Sequence, residues 1–149
     1  MTLERSKTIL KYCGIVIAII AVLYLFLGLF LAFGGGYASV NMPQAQTDPE
    51  MHKGTLAIMV GGILMAIRGI IHLLQGIFSV KAAKDNKFAK KAYVFAILGL
   101  IAAVISAISE FAAPSQTNKV STIIGLIGGI MISAVMVFAA KTVKEDNTL

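Results

Sequence analysis

Charge is scarce in this chain, and the side-chain sets that usually carry catalysis are missing. Charged residues make up 13% of the 149 and apolar residues 58%, where soluble domains average about 25% and about 45–50%. That balance excludes an ordinary water-soluble domain. Cys13 is the sole cysteine. It can form no intrachain disulfide, and because it stands at the start of the first apolar run and not after it, it does not fit a lipoprotein anchor. There is no HExxH, no pair of intramembrane aspartates, no Ser/His/Asp set at matching depths and no phosphate loop. His52 lies near Asp48 and Glu50, but no His/Cys spacing there supports a metal. The expectation is a protein that is not an enzyme and holds neither cofactor nor metal. A formal charge of +6 would suit nucleic acid only if the basic residues were gathered on a soluble surface. Here they flank apolar runs, so no nucleic-acid partner is expected.

What the chain does contain is four apolar runs, over 12–33, 55–80, 92–113 and 120–140, each near the roughly 20 residues a helix needs to cross a bilayer. They predict one four-span transmembrane domain over 1–149. The first run is longer than the about 7–15 apolar residues of a signal peptide, so a retained helix is expected. Between the first two runs lies GGGYASVNMPQAQTDPEMHKG, 34–54. Its glycines and its Pro43 and Pro49 read as a helix stop followed by an irregular loop. GGGYASV has neither the lysine nor the strand-to-helix setting of a phosphate cradle. Pro114 ends the third run, and the link PSQTNK is short enough to make the last two helices antiparallel neighbours. The fold expected is therefore all-α, an integral membrane four-helix bundle running up-down-up-down.

Orientation follows from lysine and arginine in the short connections. Three precede the first span, five lie in the central loop and two follow the last span, against Lys53 and Lys119 on the other side. Both termini are thus expected in the cytoplasm, in the cell membrane, with Tyr12 and Tyr93 as interfacial anchors. The central loop, Lys81, Lys84, Lys87, Lys90 and Lys91, offers a possible contact for anionic lipid at about 1 kcal/mol per lysine.

The second run, TLAIMVGGILMAIRGIIHLLQGIFSV, carries the unusual residues. At 100° per residue, Arg68, His72, Gln75 and Ser79 form one polar stripe. Beside it runs a seam of small residues, Gly62, Ala66, Gly69 and Gly76, and the remaining arc, from Val60 to Phe78, is apolar and suits lipid. An arginine near the bilayer centre costs about 2.5–3.5 kcal/mol on insertion scales and should face inward with a partner. The one acid in a span is Glu110, roughly 11 Å outward of Arg68 by helical rise. The two side chains lean toward each other, which predicts an Arg68–Glu110 contact, direct or through one water. Tyr24, near the centre of the first span, marks an inward face. Ser106 shares a face with Gly99, Ala103 and Glu110 on the third, and Gly125 and Gly129 form a GxxxG pair on the fourth.

The stripe supports two readings. In one it lines a partial aqueous path, where Arg68 holds an anion and His72 relays protons. In the other it fixes packing between helices or protomers. Four helices of this length fill their own centre, so conduction would need an oligomer or a partner. Three functions follow in order: a non-catalytic accessory or self-associating structural subunit, with a homo-oligomer or membrane-protein partner; a small oligomeric transporter or channel using Arg68, His72 and Gln75; and a holin-like or immunity-type membrane protein.

The stretch GIFSVKAAKDNKFAKKAYVFAILGLIAAVI resembles the lysine–asparagine turn between apolar helices in small, functionally uncharacterised four-span membrane proteins of Gram-positive bacteria. The resemblance covers the second to fourth helices. It implies that fold and a bacterial plasma membrane, and no activity.

Overall fold

The computed structural model describes the backbone over 1–112 and 119–146, and side chains over the same ranges except 45, 109–112 and 119–126. All but five of the described residues (Met1, Thr2, Met42, Asp48 and Asp85) are helical: α1 (Leu3–Asn41), a short α2 (Pro43–Thr47), α3 (Pro49–Lys84), a 3-10 turn over Asn86–Phe88, α4 (Ala89–Ala112) and α5 (Lys119–Asp146). Four stretches, Leu3–Asn41, Pro49–Lys84, Asn86–Ile108 and Ile127–Asp146, are long and apolar enough to cross a membrane. They are compatible with a multi-pass integral membrane protein.

The helices overrun the expected spans, and the irregular loop expected over 34–54 is replaced by helix. α1 continues through Gly34, Gly35 and Gly36 to Asn41, with no glycine at positive φ. Each glycine weakens a helix by about 1 kcal/mol relative to alanine, but packing outweighs that cost. A Cβ on Gly35 would lie 2.6 Å from the backbone nitrogen of Met59, so the glycine admits a neighbouring helix instead of ending its own. The prolines also start helices here. Pro43 and Pro49 each occupy a first helical position, where the missing N–H has no intrahelical acceptor to lose. Asp48 caps α3, its Oδ1 accepting from the Glu50 N–H at 2.9 Å. At 39 residues α1 is about 58 Å long, nearly twice the hydrocarbon core of about 30 Å.

The chain divides into two compact units, the boundary passing through α1 and α3. The unit of Ile19–Leu73 is built on a close contact between α1 and α3. Gly69 lies against Ala21 and Leu25, Gly62 against Gly28 and Ala32, and Gly35 against Thr55 and Met59. Ala21, Gly28 and Gly35 step forward by seven on α1, while Gly69, Gly62 and Thr55 step back by seven on α3. A strict seven-residue repeat stays on one face when two helices supercoil left-handedly, and its small residues let the backbones approach.

The other unit comprises Met1–Ala18 and Leu74–Leu149. Its core is largely alanine: Ala82, Ala89, Ala92, Ala96, Ala139 and Ala140, filled out by Leu10, Ile17, Met136 and Val143. On α4 the buried positions 89, 92, 96, 99, 103 and 107 recur at steps of three and four, and this face packs along α5. Gly14 and Gly76 meet here too, a Cβ on Gly76 falling 2.6 Å from the Gly14 carbonyl oxygen. The 3-10 turn is closed by Asp85, which accepts from the Lys87 N–H at 3.0 Å, and joined to the end of α5 by Asn86 Nδ2 donating to Asp146 Oδ2 at 3.2 Å.

Candidate functional site

The polar stripe of α3 is continuous in sequence but is divided between the two units. In the unit of Ile19–Leu73, Arg68 is half-buried and His72 is buried. The Arg68 guanidinium carbon lies 5.1 Å from the centre of the Tyr24 ring, and its Nε donates weakly to His72 Nε2 at 3.4 Å. A bond in that direction requires Nε2 to be unprotonated. A cation over an aromatic face contributes about 0.5–1 kcal/mol when exposed and about 2 when desolvated. In a bilayer, where inserting an arginine costs about 2.5–3.5 kcal/mol, such a contact would offset part of that cost. The carboxylate foreseen as its partner belongs to Glu110, whose side chain lies outside the described residues. Among the described residues Arg68 meets no carboxylate.

In the other unit Gln75 is fully buried. Its Nε2 donates to Met136 Sδ at 3.7 Å, and its carboxamide lies directly over Gly99, where a Cβ would fall 2.0 Å from Oε1. Gly99 is therefore a seat for a side chain and not a helix-to-helix backbone contact. Ser79 is also fully buried, and its hydroxyl meets no hydrogen-bond partner among the described residues. Ser133 is buried on α5. Ser106 donates to the Ala102 carbonyl one turn back on its own helix, at 2.8 Å.

Among the small residues singled out in sequence, Gly62, Gly69 and Gly76 abut α1 backbone, and Ala66 and Ala103 are buried. Gly129 differs. It is exposed, and a Cβ there would meet nothing within 4 Å among the described residues, whose buried stripe on α5 begins at Ser133. Gly125 has no described side-chain environment. Phe78 also departs from the lipid-facing arc assigned to it: it is half-buried and stacks on Phe95 with ring centres 5.1 Å apart. Nor do Asp48, Glu50 and His52 gather, because Asp48 caps α3 and Glu50 pairs with Lys53 at 3.1 Å.

Two features escaped sequence reasoning although signals for them exist. Asp48-Pro49-Glu50 has the cap, first-turn proline and first-turn acid of a helix start. The heptad Gly14, Ala21, Gly28 and Gly35 matches the one on α3 and is legible as a spacing. No protein-family model matches the chain, and no curated protein or solved structure matches it.

Proposed function

We propose that this chain is a non-catalytic integral protein of the cell membrane, crossing it four times in alternating directions with both termini in the cytoplasm. It acts as a self-associating or accessory structural subunit. The observation that carries this reading is the use made of the α3 stripe. Arg68 lies on the Tyr24 ring and Gln75 is packed between Gly99 and Met136, so these polar groups stabilise helix contacts. Phe26, Phe30 and Leu64 in one unit and Ile105 and Phe138 in the other are exposed, side chains suited to acyl chains or to another membrane protein's helices. The lysine and arginine asymmetry supports the orientation.

The test has two arms. A C-terminal alkaline phosphatase fusion is expected to be inactive, and activity would overturn the orientation. Light scattering of the protein purified in mild detergent is expected to report a complex with itself or with a membrane protein. A lone monomer would overturn the subunit role.

A second reading, an oligomeric transporter or channel, draws on one observation. Among the described residues only Nε of Arg68 makes a hydrogen bond, so its terminal Nη donors remain available to an anion. In proteoliposomes, anion flux that Arg68→Leu and His72→Leu abolish would favour it. Flux indifferent to both would remove the stripe from any such mechanism.

A further inference from the structure

Within the unit of Met1–Ala18 and Leu74–Leu149, four lysine ammoniums lie over aromatic rings near the turn between α3 and α4. Lys81 Nζ lies 5.9 Å from the centre of Phe78 and 5.4 Å from that of Phe88, Lys91 Nζ lies 5.6 Å from Phe78, and Lys87 Nζ lies 5.3 Å from Phe88. Lys144 Nζ is 4.8 Å from Tyr93. Phe78 is itself fixed by its stacking on Phe95, the planes 11° apart.

Glu4, in the first turn of α1 in this unit, forms no ion pair with Lys81 or Lys91 among the described residues, and three other carboxylates near this end are engaged. Asp85 holds Lys87 at 2.7 Å, Glu145 meets Lys141 at 3.7 Å, and Asp146 accepts from Asn86. Lys81 and Lys91 thus share one ring with no carboxylate on either among the described residues. Like charges held at one ring repel, and an anion beside them offsets that repulsion. Lys90 and Lys91 also stand in the first turn of α4, which has no acid. A helix N-terminus disfavours cations and favours an anion, so the need for a negative group arises twice at one place.

We propose that Phe78, Lys81, Phe88 and Lys91 form a site for the phosphate of an anionic lipid headgroup. The proposal rests on the membrane reading above. Lys81 occupies the last turn of one membrane-length helix and Lys91 the first turn of the next, the level at which lipid phosphates lie. The rings hold the ammoniums in advance, so little side-chain freedom is lost when the phosphate arrives. Phosphate is the shared chemistry of a headgroup and a free ion, and the experiment separates them.

The full-length protein is reconstituted in vesicles of phosphatidylcholine with a quarter phosphatidylglycerol, and retained phosphatidylglycerol is counted by native mass spectrometry. Lys81→Gln/Lys91→Gln is expected to weaken retention about tenfold. Phe78→Leu, which removes no charge, is expected to weaken it about threefold. Lys84→Gln/Lys90→Gln removes equal charge away from the rings and is expected to cost less than about threefold. Equal losses in the two double variants would reduce the effect to general surface charge and overturn the site. Inorganic phosphate at millimolar concentration displacing the lipid would overturn the headgroup assignment. Should alkaline carbonate strip the protein from the vesicles, the membrane reading itself has failed, a result distinct from loss of lipid retention.

Discussion

Arg68 on α3 lies over the ring of Tyr24 on α1, 5.1 Å from guanidinium carbon to ring centre, so the face of the phenol, and not its hydroxyl, meets the charge. The contact should survive loss of the hydroxyl. We expect Tyr24→Phe to change stability by less than about 0.5 kcal/mol and Tyr24→Leu to lower it by about 1–2 kcal/mol, read as thermal midpoints by circular dichroism in mild detergent. Equal effects of the two would show that the ring face contributes nothing.

Gly61 and Gly62 are neighbours with opposite prospects. A Cβ on Gly62 would fall 2.3 Å from the Ala32 backbone nitrogen and 2.7 Å from the Gly28 carbonyl oxygen, whereas one on Gly61 would meet nothing within 4 Å. Backbone cannot move aside without separating the helices. Gly62→Ala is expected to destabilise by about 1–3 kcal/mol, and Gly61→Ala to be neutral or to stabilise by up to about 1 kcal/mol through helix propensity. The same detergent melts decide it, and a Gly62→Ala protein as stable as the parent would refute the close α1–α3 seam.

Gly99 and Gln75 should behave as one unit. Alanine at 99 collides with the far end of a flexible but fully buried side chain, so the clash is relieved if that side chain is shortened. In a double-mutant cycle, Gly99→Ala should cost less in a Gln75→Ala background than alone, with a coupling of about 0.5–3 kcal/mol. Additive effects would mean that the carboxamide does not lie over the glycine.

Asp85, in the turn between α3 and α4, has its carboxyl held below the ordinary value of 3.8, chiefly by the hydrogen bond from the Lys87 side chain and then by that from the Lys87 N–H. A carboxyl depressed in the folded state adds stability that is fully present above 3.8 and is lost as pH falls through the lower folded value. The group is exposed, so the effect is small. Asp85→Asn keeps the capping oxygen and loses the charge. Its midpoint should sit slightly below that of the parent at neutral pH and converge with it in acid below that window; a gap that persists unchanged would count against the pairing.

The four membrane-length helices were legible because length and hydropathy are local properties of each run. The inward seam on α3 was legible because a helix repeats its faces every three or four residues. Glycines 34–36 were misread for a related reason: local propensity counts three helix-weakening residues, while the compensation comes from Met59, distant in sequence and close in space.

Arg68 illustrates the same boundary. Its residue type and place near the middle of an apolar run required, from sequence, that in a bilayer the charge be accommodated, since hydrocarbon tolerates guanidinium poorly whatever the fold. Which group accommodates it depends on the register and rotation of α1 against α3, quantities that no single helix contains. Tertiary packing put the Tyr24 ring on the guanidinium and Gln75 over Gly99, because partner choice is decided by distances between residues far apart in the chain.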